Sequence, residues 1–237
     1  MKKYVPILAA AVVLIVVLIV AVSSGGGKTP ATEAPLEEIP TASEGNTQTL
    51  NVYYQSAKGY LVPVARKIAV QDNMAQAALD LLYDTSANWS DAATFGVMPT
   101  LPEGATASVN VSGGIAQVNL EGMVCQDADS ENTALASMTA TLLDMPQINV
   151  VRYTVNGEAS AMLPFGTSVA QAMTQVKVNA EDSALAVASS DNTTQIQLAF
   201  VEQESGLLVP VTRTLSGSCS LSAALAELTV VPEGNSD

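Results

Sequence analysis

The 237-residue chain contains no histidine. That removes the commonest general base, the commonest transition-metal ligand and the usual partner of a nucleophilic serine or cysteine. Carboxylates could still catalyse, but no pair of acids stands out, and the chain reads as non-enzymatic. Two cysteines, Cys125 and Cys219, are too few for a disulfide framework or a zinc site. They read as small apolar residues in or near cores, with a single bridge between them as the alternative outside the cytoplasm. Aromatic residues make up only 4%, which argues against stacking platforms for bases or sugars. Bases are scarce as well: nine Lys and Arg against 23 acids leave a net charge of −14. Such a chain is not built to bind nucleic acid, which needs clustered bases. No glycine-rich phosphate loop, Cys-x-x-Cys pair or nucleophile elbow occurs, so no cofactor is expected. Asp127-Ala-Asp129-Ser-Glu131 opens like a calcium loop, but Asn132 and Met138 stand where that loop needs Gly and Glu. These acids read as residues favoured at a helix N-terminus.

What the chain does have begins at its N-terminus. Residues 5–22 carry no charge and come directly after Lys2, Lys3 and Tyr4. About 20 apolar residues span a bilayer as a helix, whereas a signal-peptide core covers only about 7–15. Residues 1–22 are therefore expected to be a single-pass transmembrane helix acting as a signal anchor, with the two lysines in the cytoplasm. Ala21-Val22-Ser23 is a small-x-small site, so a cleaved signal and a secreted product are the alternative. Either way, the chain beyond residue 22 is expected to be extracytoplasmic. Residues 23–48 hold three glycines in a row and three prolines without periodicity, the composition of a disordered linker.

The rest reads as folded. Residues 50–54 alternate, with Leu50, Val52 and Tyr54 on one face, and residues 61–68 come next as a hairpin partner. Pro63 lacks an amide donor and marks this second strand as an edge or bulged strand. Asn73 can cap a helix, with Gln76 at capping-box spacing and Met74, Ala77, Ala78, Leu81 and Leu82 recurring along it. Trp89 and Phe95 are expected in the loop beyond. A second hairpin is expected around Ser112-Gly113-Gly114. A second helix should start near Ser130, and a third hairpin should turn at Asn156-Gly157. The order ββ-α-ββ-α-ββ predicts an α+β fold, a hairpin-rich sheet with helices packed on one face. Residues 49–178 form this domain and residues 179–193 read as a linker. In residues 194–237, Ile196, Leu198 and Phe200 alternate, and Leu221, Ala224, Leu225 and Leu228 take helical spacing.

One phrase is written twice. GYLVPVARK at residues 59–67 returns as GLLVPVTRT at residues 206–214. The spacing is far too long for a solenoid and indicates duplicated domains, the second copy being partial. Together with LNVYY, MAQAALDLL, LPEGATASVNVSGGIAQVNL, ALASMTATLLDMP and INVVRYTVNGEAS, the first copy resembles the GerMN domain family of sporulation and spore germination. The resemblance covers about residues 49–168, with a partial second copy at 194–237. It implies an envelope protein of a Gram-positive bacterium, facing outward from the membrane, whose paired copies serve assembly with other envelope or sporulation proteins or into an oligomer. No catalytic residues belong to the family pattern. Two departures are a missing lipoprotein cysteine and the incomplete second copy.

The proline-marked strands are the expected docking edges, by strand addition. Val62, Pro63, Arg66, Val209, Pro210 and Arg213 are the candidate partner-binding residues. The competing reading of Arg66 and Arg213 is a solvated edge-strand charge that discourages aggregation. A second functional reading is a module that binds cell-wall peptidoglycan.

Overall fold

A computed structural model describes residues 46–159, 162–182, 193–217 and 219–232. The expected anchor at residues 1–22 and the linker up to residue 45 lie outside them. Among the described residues, no helix is long and apolar enough to cross a membrane. All described residues fall within one compact unit, Ser43–Asp237.

The first hairpin forms as its alternation requires. β1 (Thr47–Ser56) pairs antiparallel with β2 (Leu61–Ala69), and Leu50, Val52 and Tyr54 are buried together. α1 (Met74–Asp80) is next, with the Asn73 side chain accepting from the Gln76 N–H. Gln76 does not close a capping box; its carboxamide reaches across to a neighbouring strand instead. α2 (Ser86–Ala93), capped by Thr85, occupies the stretch expected to be loop, so Trp89 lies on a helix. Only Ala92 of that helix is buried, which is why no apolar period announced it. β3 (Val97–Met98) then joins β1 at Gln55 and Ser56.

β4 (Thr106–Ser112) and β5 (Ile115–Glu121) make the second hairpin. The long helix α3 (Ala128–Leu143) starts at Asp127, whose carboxylate accepts from the Ser130 N–H while the Asp127 N–H donates to the Ser130 hydroxyl. Asp127 is thus a cap residue, and Asp129 and Glu131 lie in the first turn.

The third hairpin does not form. α3 returns the chain to the start of β5, so β6 (Val150–Val155) enters parallel to β5, as a helical crossover dictates. Asn156 and Gly157 do turn the chain, with φ of 50° and 83°, but among the described residues only Glu158 comes back, as a single bridge to Val155. The outer edge of β6 meets Met173, which exchanges two 2.8 Å backbone hydrogen bonds with Val151.

β7 (Ala180–Asp182) lies in the stretch expected to be a linker. β8 (Thr193–Val201), β9 (Leu208–Ser216) and α4 (Leu221–Glu227) complete the described chain. In place of the expected single sheet, the described residues form three sheets of three strands, β2-β1-β3, β4-β5-β6 and β7-β9-β8, with four helices. The α+β class stands. Val209 and Val211 share one core with Val52, Tyr54, Leu120, Met138 and Leu142. The partial copy therefore packs onto the first. On α4 the helical stripe is reversed: Leu221, Leu225 and Leu228 are exposed, and Glu227 is buried.

Candidate functional site

The two repeated strands meet each other. β2 and β9 are in contact, and Asn179 fastens them. Its Oδ1 accepts from the Leu61 N–H at 2.8 Å; its Nδ2 donates to the Leu61 carbonyl at 2.8 Å and to the Pro210 carbonyl at 2.7 Å. Asn179 sits at φ 49°, a left-handed conformation that Asn tolerates better than most residues.

The prolines fall where a strand can spare a donor. In an antiparallel ladder, the N–H and C=O of one residue point to the same side. Tyr53, opposite Pro63, turns its N–H to Thr141 and its C=O to Ser137 on α3, away from β2. The Tyr53–Pro63 pair is thus a non-hydrogen-bonded one, and Pro63 removes no ladder bond. Pro210, opposite Ala199, likewise presents its carbonyl to Asn179 and not to β8. β9 is nevertheless the central strand of its sheet, so Val209, Pro210 and Arg213 do not form an edge. Val62 and Val209 are fully buried.

Neither arginine is a solvated charge. Arg66 donates to the Tyr54 hydroxyl at 2.7 Å, pairs with Asp91, and lies over the Tyr54 and Phe95 rings. Arg213 is 1% exposed and pairs with Glu181 at 3.2 Å and Glu227 at 3.0 Å, over the Phe200 ring. The repeat is three-dimensional: Tyr54 stands opposite Val62 as Phe200 stands opposite Val209, and each copy stacks its arginine on that aromatic. Spacing alone could have paired these residues, since both hairpins keep the same register.

The other strand edges are treated unequally. The outer edge of β4 is covered by side chains at Ala107 and Val109: Asn73 donates to Val109 O, Gln76 bonds Val109 N and Ala107 O, and the Tyr83 hydroxyl bonds both backbone polar groups of Ala107. β8 is different. Nine residues long, TTQIQLAFV, it pairs only with β9 among the described residues, and it carries no charge, no proline and no bulge. Natural edges are normally blunted by one of these.

A groove of about 710 Å³ runs over the outer face of β4-β5-β6. Register aligns Asn110, Gln117 and Arg152 across the three strands, and Ser108, Asn119 and Thr154 beside them. Residues 169–172 form one wall. That wall is anchored by buried Glu131, whose carboxylate accepts from the Phe165 N–H at 2.9 Å and the Thr167 N–H at 3.1 Å. Asn119 is committed to Thr154, Gly157 and Glu121.

Among the described residues, no three His, Cys, Asp or Glu side chains gather to hold a metal ion. Burial, with Glu131 and Asp127 nearby, pushes the Cys125 thiol up, which keeps it protonated and unreactive. Cys125 and Cys219 are both free. Burial also raises the Tyr153 phenol, which is hydrogen-bonded to Thr139 at 2.8 Å.

Residues 51–161 match the family model Germane, sporulation and spore germination. No curated protein matches the chain. Among solved structures, the tandem GerMN domains of the sporulation protein GerM from Bacillus subtilis superpose with a TM-score of 0.63 at 22% identity, over 78% of this chain. This chain spans 66% of that one, just under two thirds of its length. The first GerMN domain of the same protein aligns with a TM-score of 0.45 at 22% identity, over 55% of this chain and 97% of its own. The α+β fold of this chain is thus similar to that of the tandem GerMN domains. Through residues 51–161, this chain is similar to the sporulation and spore germination domains that the Germane model describes.

Proposed function

We propose that the protein is a membrane-anchored, non-enzymatic assembly module of the cell envelope, acting in sporulation or germination, and that it assembles with a second copy of itself through β8. The match to the Germane model supports the sporulation role, and the charge-free run at residues 5–22 supports the anchor. One observation carries the assembly reading: among the described residues, nothing covers the outer edge of β8. Its outward backbone groups are set by register. Thr212 gives its N–H to Val178 on the β7 side, so the pairs Gln197–Thr212 and Ala199–Pro210 are non-hydrogen-bonded. Gln195, Gln197 and Ala199 therefore aim their N–H and C=O groups away from β9, ready for another strand. The molecule as a whole repels its copies with a charge of −14, but β8 contributes none of it. Two β8 strands can meet antiparallel about a two-fold axis without opposing like charges.

The test uses the full chain in detergent, with mass measured by light scattering. The wild type should be a dimer. Gln197→Pro removes an outward donor and no β8–β9 bond, so it should give a monomer with an unchanged melting curve. A monomeric wild type, or a dimer that survives both Gln197→Pro and Ala199→Pro, overturns self-assembly through β8. Peptidoglycan binding is the second reading of the sequence; nothing in β8 favours it.

A further inference from the structure

We propose that the groove over β4-β5-β6 binds a short peptide by its free carboxylate, with Arg152 as the carboxylate receptor. This site is separate from β8 and does not depend on assembly through it.

Three observations lead there. First, Arg152 is exposed in mid-groove, and among the described residues no ion pair, hydrogen bond or ring contact engages it. Arg66 and Arg213, by contrast, are both paired and stacked. A planar guanidinium held on a strand offers two parallel donors to one carboxylate. Second, the side chains of its cross-strand neighbours Gln117 and Asn110 also have no partner among the described residues, and Gln171 lines the same groove from the wall. Each carboxamide offers both a donor and an acceptor, which matches a peptide group. Third, the groove is built in advance. Its wall is tied to β6 by the two Val151–Met173 bonds and to α3 by Glu131. A volume of about 710 Å³ lies within the range of small-ligand sites.

The same features exclude other ligands. A sugar chain would want an aromatic platform, and the one ring lining the groove, Tyr153, is buried with its hydroxyl on Thr139. A polyanion would meet one cation in a strongly acidic molecule. One carboxylate next to neutral amides fits both constraints.

The experiment titrates the full chain in detergent with N-acetyl-trialanine, its C-terminal amide, and an N-acetylated sugar trimer. Side-chain amide NMR signals of Asn110 and Gln117 report occupancy. The free acid should bind saturably, and the amide at least about ten-fold more weakly, as loss of a charge-assisted pair implies. Arg152→Gln should weaken acid binding by a similar factor and leave amide binding unchanged, while Gln117→Ala should weaken both. Arg152 is exposed, so its replacement should leave the melting curve alone. Equal binding of acid and amide, wild-type binding by Arg152→Gln, binding of the sugar in place of the peptide, or no saturation at millimolar peptide would each overturn the proposal.

Discussion

The side chain of Asn179 meets the backbone of Leu61 as a strand would, accepting its N–H and donating to its C=O, both at 2.8 Å. Its third bond, to the Pro210 carbonyl, makes one carboxamide the rung between the two LVPV strands. Asn179→Ala would strand three backbone groups and leave at φ 49° a residue that tolerates the left-handed region less well than Asn. Each unmet buried group costs about 1–3 kcal/mol. The variant should lose at least about 2 kcal/mol in urea unfolding, and the Leu61 amide should exchange faster. Asn179→Asp should be no better, because its carboxylate faces two carbonyls.

Arg213 carries a different load. It joins β9 to β7 and α4 through two carboxylates, and both Arg213 and Glu227 are almost wholly buried. Removing one partner of a buried ion pair costs about 3–5 kcal/mol, while replacing the whole group by apolar residues is often neutral. Arg213→Ala should therefore destabilise strongly in thermal melts. Arg213→Met with Glu227→Leu and Glu181→Leu should recover much of the loss.

Glu131 is predicted to control the wall of the groove from within. Glu131→Gln keeps one acceptor and should loosen the Phe165 and Thr167 amides, seen as faster hydrogen exchange there. Stability should fall by roughly 1–3 kcal/mol, as for a charged hydrogen bond lost in the interior.

The cap of α3 sets a pH response. The Ser130 N–H and hydroxyl hold the Asp127 carboxyl below its usual range. A folded value below the unfolded one gives stability that is present above the unfolded value, about pH 4, and lost as pH falls through the folded value. The Ser130 amide should lose protection at acid pH, and Asp127→Asn should flatten that response.

Much of this was legible in the sequence, for reasons that can be named. Alternation placed the strands at Leu50, Val52 and Tyr54, which lie in the core, and at Ile196, Leu198 and Phe200, of which Leu198 is buried and Phe200 packs on the core. Asn73 and the acids near Asp127 marked helix starts, because orphan amides need acceptors there. Three of the misses share a cause. The parallel pairing of β6, the strand at 180–182 and the burial of Arg213 all depend on contacts between segments distant in sequence. Asn156-Gly157 made its turn, but a turn does not guarantee a return strand when Met173 already lies at the edge of β6. The groove left no local signal either. Asn110, Gln117 and Arg152 are ordinary outward residues until strand register sets them side by side.

The match to the family stops at residue 161, yet Val209 and Val211 are inside the same core as Val52 and Leu142. The duplication is thus modular in the gene and not in thermodynamics. A product cut at residue 161 would leave the polar groups of Leu61 unmet and uncover the β2 face that β9 contacts. As the chain emerges from the ribosome, its first hairpin, complete in sequence by residue 69, must wait for residue 211 before its interior closes.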